Sequence, residues 1–143
     1  MKKAIYVGSF DPIHNGHMKV LKKALGLFDE IIVIIANNDF KKNQGNLDER
    51  FEQVKRKVEE EKFKNVSIYI LEEKYLATWA KENNITYLVR SARNNTDFKY
   101  ELDLAKLNKE INPDLETILI IPDSEDLEYS SSKFRNFKID KNK

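Results

Sequence analysis

Residues 30–36 read Glu-Ile-Ile-Val-Ile-Ile-Ala, so aliphatic side chains occupy consecutive positions. A strand with one face in water would alternate apolar and polar residues, whereas this run is typical of a strand buried on both faces. Such strands belong to parallel sheets whose two faces are covered by helices. The run therefore predicts an α/β protein.

The segments on either side of this run alternate between strand and helix patterns. Four more strands are predicted, at residues 4–7, 66–71, 86–89 and 117–121. Apolar periodicity predicts helices at residues 15–27, from Leu47 onward, at residues 75–82, and from a cap at Thr96 or Asp97 to Asn112. Five strands separated by helices predict a Rossmann-like, open, five-stranded parallel sheet with helices on both faces.

The length of 143 residues predicts a single domain over residues 1–143, with residues 138–143 expected to fray. Hydrophobic residues make up 41% and charged residues 34%, which excludes a disordered chain and a typical membrane protein. There is no cysteine, which excludes disulfides and thiolate metal sites. The first residues lack the apolar core of a signal peptide, so we expect a cytoplasmic protein. The net charge of +1 predicts neither a nucleic-acid nor a membrane partner.

Residues 8–17 read Gly-Ser-Phe-Asp-Pro-Ile-His-Asn-Gly-His and connect the first predicted strand to the first helix. The chain has 2 histidines, and both of them, His14 and His17, lie in this stretch. We expect Gly8 to allow a sharp exit from the strand and Gly16 to let the backbone approach a ligand closely. Ligands of open α/β sheets bind beyond the carboxyl ends of strands, which is where this segment lies.

The start of the first predicted helix suits a phosphate. Asn15 is predicted to cap this helix, whose free backbone N–H groups and positive dipole end attract anions. Imidazole N–H donors at the same place suit a phosphate whose charge changes during a reaction. No metal site is predicted, because no pair of carboxylates accompanies the His-x-x-His spacing.

Four other polar groups follow strands or belong to helices and their caps, and each has an ordinary structural alternative. Arg90 and Arg93 are predicted to follow the fourth strand, where a guanidinium matches phosphate oxygens, although a solvated turn would read the same way. The pair Lys41-Lys42 follows the second strand, where lysines are usually just solvated. Ser130-Ser131-Ser132 suits either a helix cap or phosphate binding. Glu101 is either a ligand contact or an i,i+4 partner on an exposed helix face.

Residues 10–17 resemble the (Thr/His)-x-Gly-His motif of the nucleotidylyltransferase superfamily. From residue 4 to about residue 135 the chain resembles one member of it, the bacterial phosphopantetheine adenylyltransferase family. The further segments that match that family in order and spacing are Lys41-Lys42, Leu47 to Arg50, Arg90 to Arg93, Asp97 to Glu101, Asn108, Pro113 to Thr117 and Ser130 to Ser132. This chain has His14 where the family usually has Thr, and Ser91 where it usually has Gly.

The resemblance implies that ATP and 4′-phosphopantetheine react to give 3′-dephospho-coenzyme A and pyrophosphate, with Mg²⁺ accompanying ATP. It also implies a homo-oligomer, a hexamer in the family. Nicotinate mononucleotide remains an alternative acceptor, which His14 favours. Two further functions stay open at this point, a cytidylyltransferase acting on a small phosphorylated alcohol and a non-catalytic nucleotide-sensing module.

The resemblance also implies roles for individual residues. The catalytic residues would be His17, which donates to the transition state, and Lys41 and Arg90, which hold the reacting phosphates. Acceptor-binding residues would be Ser9, Lys41, Leu76, Arg90 and Asn108. The residues expected to contact ATP are Ser9, Phe10, His14, His17, Ser91, Ala92, Arg93, Glu101, Tyr129, Ser130, Ser131 and Ser132.

Overall fold

The computed structural model describes residues 1–37 and 46–127. The predicted site residues Lys41, Tyr129, Ser130, Ser131 and Ser132, and the tail at residues 138–143, lie outside these ranges. Within them the strands are β1 (Lys3–Gly8), β2 (Glu30–Ile35), β3 (Val66–Ile70), β4 (Tyr87–Ser91) and β5 (Glu116–Ile120). The α-helices are α1 (Asn15–Leu25), α2 (Leu47–Glu60), α3 (Leu76–Glu82) and α4 (Asn95–Ile111), and a short 3-10 helix covers Ser124–Asp126.

The strands form one parallel sheet in the order β3-β2-β1-β4-β5. Strand β1 is central, with Ile5 opposite Ile32 of β2 on one side and opposite Leu88 of β4 on the other. The chain first builds the sheet outward through β2 and β3 and then crosses to the other side of β1. The topological switch point therefore lies between β1 and β4, where ligands of such sheets bind.

Alternate residues of the strands pack into cores on opposite faces of the sheet. Ala4 and Tyr6 of β1 join a core with α1 and α2, whereas Ile5 and Val7 join a second core with α3. All five residues of Ile31–Ile35 are at most 7% exposed, as the aliphatic run predicts. The predicted fold class is confirmed.

Several predicted boundaries differ from the structure, among them the end of β4 and the start of α4. Strand β4 runs to Ser91, two residues beyond the prediction, because Arg90 and Ser91 continue the pairing with Leu119 and Ile120 of β5. Helix α4 is capped by Asn94, ahead of the two residues predicted as caps, because its side chain accepts a hydrogen bond from the backbone N–H of Asp97 at 2.8 Å.

Ion pairs tie α1 to the segment that follows β5. Lys19 pairs with Glu125 and Asp126, and Lys23 pairs with Asp123 at 2.6 Å. These contacts place the segment after β5 beside the start of the site described below. Among the helices in the described ranges, none combines the length and apolarity that crossing a membrane requires.

Candidate active site

A cavity of about 750 Å³ opens beyond the carboxyl ends of β1 and β4, at the switch point of the sheet. It brings together ten of the predicted site residues, namely Ser9, Phe10, His14, His17, Leu76, Arg90, Ser91, Arg93, Glu101 and Asn108. Ala92, also expected to contact ATP, is 6% exposed and does not line this cavity. Residues far apart in the sequence thus share one cleft, which is the arrangement that a binding site requires.

The two imidazole rings stack on each other at the start of α1, with their centroids 3.7 Å apart and their planes 28° apart. The backbone N–H of His14 donates to Nδ1 of His17, and the backbone N–H of Gly16 donates to Nδ1 of His14 at 3.0 Å. A neutral imidazole that accepts at one nitrogen carries its proton on the other. Each neutral ring therefore has its proton on Nε2, as a donor for a ligand.

His14 is the N-cap of α1, and the prediction that Asn15 caps this helix is wrong. The Nδ1 of His14 takes the role that a serine or aspartate oxygen usually plays, since it accepts from a backbone N–H of the first turn. A Cβ on Gly16 would lie 2.8 Å from Cε1 of His14. A side chain at position 16 would therefore force the ring of His14 to shift, a reason for glycine that the sequence did not indicate.

The environment of His14 favours the neutral ring. Partial burial lowers the pKa of His14 below its usual value, and the nearby Arg93 guanidinium lowers it further, while Asp126 acts in the opposite direction. Near pH 7 the Nε2–H of His14 is thus a donor on a neutral ring. Such a donor can bind phosphate oxygens without adding a full charge.

The turn between β1 and α1 is built around Phe10. This residue has a positive φ of 47°, which is uncommon for a residue with a side chain, yet it is only 2% exposed. Its ring packs edge-on against Tyr6 and His17, with centroids 5.4 and 5.1 Å away. A Cβ on Gly8 would lie 3.1 Å from the Phe10 ring, so Gly8 makes room for that ring. Gly8 ends β1 without a positive φ.

Arg90 is fixed on the cavity wall by a buried partner. Its Nε donates to both carboxylate oxygens of Glu101, at 2.8 and 3.1 Å, and its Nη1 donates to the backbone carbonyl of Val7 at 2.7 Å. Glu101 is only 5% exposed, so its interpretation as an i,i+4 partner on an exposed helix face is wrong. This fixed geometry presents the guanidinium at the carboxyl end of β4, next to β1.

Arg93 is more exposed than Arg90. Its Nε contacts the carboxylate of Asp97 at 3.3 Å, and its side chain is 55% exposed. The same carboxylate accepts from the backbone N–H of Arg93 at 3.2 Å. Arg93 therefore lies at the mouth of the cavity, where its long side chain has room to change conformation when a ligand binds.

The cavity also has an apolar wall. It consists of side chains from the segment before α3, from α3 and from α4, namely Leu71, Tyr75, Leu76, Leu104 and Leu107. Asn108 lies on the same wall and is 6% exposed. An anion-binding end with histidine and arginine thus adjoins an apolar end with one buried amide, which suits a ligand that has a phosphate at one end of a neutral chain.

Three carboxylates cluster after β5, with one oxygen of each within 4.8 Å of the others, in Asp123, Glu125 and Asp126. Such oxygens are the ligands that hard cations prefer. Lys19 and Lys23 already pair with these groups, and the pairing with Lys23 lowers the pKa of Asp123. Asp126 is the one of the three that lines the cavity.

Arg50 lies in one of the segments that match the family, but its residue type and spacing predicted no role for it. It is 2% exposed and donates to carbonyl oxygens after both β1 and β2. An arginine is rarely buried, and Arg50 precedes Val54 and Val58 at helical spacing in the apolar stripe of α2. An arginine within an apolar stripe was the signal that could have indicated its burial.

Comparisons with known proteins identify the family to which this chain belongs. The cytidylyltransferase-like family model matches residues 5–137. A phosphopantetheine adenylyltransferase of Mycoplasma mycoides is 39% identical over 138 residues, covering 96% of this chain and 97% of the relative. Another, from Wigglesworthia glossinidia brevipalpis, is 40% identical over 123 residues, covering 85% of this chain and 71% of the relative.

Solved structures share the fold at low sequence identity. The lipopolysaccharide core biosynthesis protein from Thermoplasma volcanium superposes with a TM-score of 0.59 at 19% identity, covering 91% of this chain and 99% of that one. A bifunctional NMN adenylyltransferase/ADP ribose pyrophosphatase from Francisella tularensis gives a TM-score of 0.62 at 18% identity, covering 95% of this chain and 41% of that one. The family predicted from residues 10–17 and the segments after them is confirmed: the chain belongs to the cytidylyltransferase-like family and, within it, to the phosphopantetheine adenylyltransferases.

Proposed function

We propose that the protein transfers AMP from ATP to 4′-phosphopantetheine, which gives 3′-dephospho-coenzyme A and pyrophosphate in coenzyme A biosynthesis. The observation that carries the proposal is a cavity that His17 and Arg90 both line, beside an apolar wall, in a chain of this family. We assign to the predicted site residues that line this cavity the roles described in the following paragraphs.

The acceptor phosphate is already ionised, so the reaction needs no general base. One of its oxygens attacks the α-phosphorus of ATP, a new O–P bond forms, and the bond from that phosphorus to the bridging oxygen breaks, releasing pyrophosphate. Catalysis of such a step consists of positioning and of stabilising the charge on the transferred group. His17 is our choice for the donor to that group, through Nε2–H, because its Nδ1 is occupied by the N–H of His14.

The acceptor site extends from Arg90 along the apolar wall. Glu101 and the Val7 carbonyl hold Nε and Nη1 of Arg90, so the rest of the guanidinium meets the acceptor phosphate in a fixed orientation. Leu76 and Asn108 would contact the pantetheine arm, as an apolar surface and an amide partner. Ser9 would orient the same phosphate, and Lys41 would bring a positive charge to both substrates.

The ATP site lies toward the start of α1 and the end of β4. The helix N-terminus and the neutral Nε2–H of His14 would bind phosphate oxygens, and Ser91 and Arg93 would contact the nucleotide. Phe10 would shape this end of the site through its ring contact with His17. Glu101 would act mainly through Arg90, while Tyr129 and Ser130 to Ser132 remain proposed ATP contacts from the family resemblance.

A Mg²⁺ ion that enters with ATP fits the donor set at the cavity rim. Asp126 offers a carboxylate oxygen there, the ligand type that Mg²⁺ prefers, although Lys19 also contacts it. When bound, the ion would neutralise part of the charge on the triphosphate.

We further propose a cytoplasmic location and a homo-oligomer, a hexamer as in the family. Phe98 and Leu102 are exposed and lie one turn apart on α4, so another subunit could cover their side chains.

The test is pyrophosphate release from ATP and Mg²⁺ in parallel reactions with 4′-phosphopantetheine and with nicotinate mononucleotide. Release with the first acceptor alone is the expected result. Release with the second alone would support nicotinate mononucleotide adenylyl transfer, the candidate that His14 favours. Release with neither acceptor, despite ATP binding, would contradict the proposal and favour a nucleotide-sensing module.

A further inference from the structure

Arg50 joins the two loops that leave β1 and β2. Its Nη1 donates to the backbone carbonyl of Ser9 at 2.8 Å and to that of Ala36 at 3.4 Å, and its Nη2 donates to Oδ1 of Asn37. The side chain comes from the first turn of α2, and Arg50 is 2% exposed. A buried guanidinium is costly unless its donors are used, so these bonds fix its orientation.

The contacts of Arg50 begin where the sheet's own hydrogen bonds end. Strands β1 and β2 stay in register up to Gly8 opposite Ile35, and the N–H of Ala36 still donates to the Gly8 carbonyl at 2.9 Å. The backbone pairing of these two segments of the chain ends at that bond. Arg50 bridges the next carbonyl of each, those of Ser9 and Ala36, and so extends the connection past the last strand residues.

Both bridged loops lead into the site. Ser9 precedes Phe10, and both line the cavity together with Asn37. Asn37 also precedes, by four residues in the sequence, the Lys41 that the proposed function uses. The guanidinium of arginine is a fork of N–H donors at fixed separation, so it can hold acceptors on two loops at once. A lysine ammonium is a single point charge.

We propose that Arg50 is a positioning residue, which holds the loop after β1 and the loop after β2 at the spacing that adenylyl transfer requires. It contacts neither substrate, and acts through Ser9, Ala36 and Asn37. The expected effect of Arg50 on the rate of transfer rests on the proposed function, whereas its expected effect on the position of the two loops does not. Misplacing reacting groups by about 1 Å can cost about 100-fold in rate, so the expected effect is on kcat.

The test compares Arg50→Lys with Val54→Ala. Val54 lies one turn further along α2, is 0% exposed and packs in the core, so its truncation destabilises the same helix but leaves every hydrogen-bond donor of Arg50 in place. At a temperature where both variants are folded, we expect Arg50→Lys to lower kcat about 10- to 100-fold, with the Kd for ATP changed less than about threefold. Val54→Ala should keep kcat within about twofold of the unchanged protein.

Hydrogen exchange of the substrate-free protein supplies a readout that does not depend on activity. Residues 8–14 should exchange faster in Arg50→Lys than in Val54→Ala. If exchange is equal in the two variants, or if it rises while kcat stays unchanged, the inference is overturned. If no acceptor supports transfer at all, the proposed function fails, and the exchange comparison still decides whether Arg50 holds the loop.

A second variant keeps the inference testable if Arg50→Lys does not fold. Asn37→Ala removes the acceptor of Nη2 and leaves the Arg50 side chain in place. We expect it to lower kcat about three- to tenfold. Its effect should not add to that of Arg50→Lys in the double variant where both fold, because residues of one network are coupled. Full additivity would mean that Asn37 acts independently of Arg50.

Discussion

The backbone N–H of His14 donates to Nδ1 of His17 across 3.1 Å. The helix cap itself therefore sets the tautomer of the proposed catalytic ring. The ring also packs against Phe10 and stacks on His14, so its orientation and the tautomer of its neutral form are set before any ligand binds. A donor prepared in this way needs little rearrangement in the transition state, which is the condition under which such groups contribute most.

Replacing His17 by Ala tests this role. We expect kcat to fall about 100- to 1000-fold, the usual effect of removing one donor to a developing charge. The Kd for ATP, measured by calorimetry, should change much less, because the donor acts mainly in the transition state. A kcat close to that of the unchanged protein would remove His17 from the mechanism.

The lowered pKa of His14 predicts a pH-dependent contribution to stability. In the unfolded chain this group takes up a proton near its ordinary pKa of 6.5, but the folded protein resists that proton. The unfolded state therefore binds more protons as the pH falls through that value, and the folded state loses stability there. His14→Asn keeps a capping oxygen but cannot titrate.

Urea unfolding at pH 7.5 and pH 5 measures this effect. The free energy of unfolding of the unchanged protein, relative to that of His14→Asn, should decrease from pH 7.5 to pH 5. An equal change in both proteins would show that His14 does not contribute.

Removing Glu101 should leave Arg90 with an uncompensated charge. Breaking a buried ion pair by removing one partner typically costs about 3–5 kcal/mol, so we expect a clear drop in Tm for Glu101→Gln. The KM for the acceptor should rise, because the guanidinium loses its fixed orientation. Glu110→Gln, an exposed position on the same helix, is the matched control and should change neither quantity.

Lys41 and Lys42 offer a matched pair of adjacent lysines. From the family spacing, Lys41→Ala should raise the KM for the acceptor about tenfold or more, since a charged hydrogen-bond partner contributes about 1.5–3 kcal/mol. Lys42→Ala should leave the KM within about twofold. Steady-state kinetics with varied acceptor measure both, and equal effects of the two substitutions would count against a specific role for Lys41.

Sequence patterns predicted the sheet well because the patterns that indicate its strands lie within short segments of the sequence. The consecutive aliphatic residues of β2 are typical of a strand covered on both faces, and the strand–helix alternation then restricts the topology. The end of β4 was misplaced because pairing with β5, a partner about 30 residues away in the sequence, extends it through Arg90 and Ser91. Tertiary pairing of that kind leaves no local signal.

The candidate site was predictable in its residue types but not in their contacts. The motif at residues 8–17 and the family spacing indicated His17 and Arg90, yet neither indicated that Glu101 would be buried as the partner of Arg90. The role of Arg50 depends on carbonyl groups of two distant loops, which no side-chain pattern reveals. Backbone acceptors are present at every residue, so only the fold selects which of them a buried arginine meets.

The close fit between Gly16 and the ring of His14 constrains the order in which this turn can evolve. A methyl group at position 16 would lie 2.8 Å from Cε1 of the ring, so alanine there displaces the ring for as long as histidine occupies position 14. A smaller residue at position 14 removes that particular clash, whereas a change at position 16 made first meets it in full. The two positions therefore form an epistatic pair, in which one mutational path is open and the reverse path passes through a disfavoured intermediate.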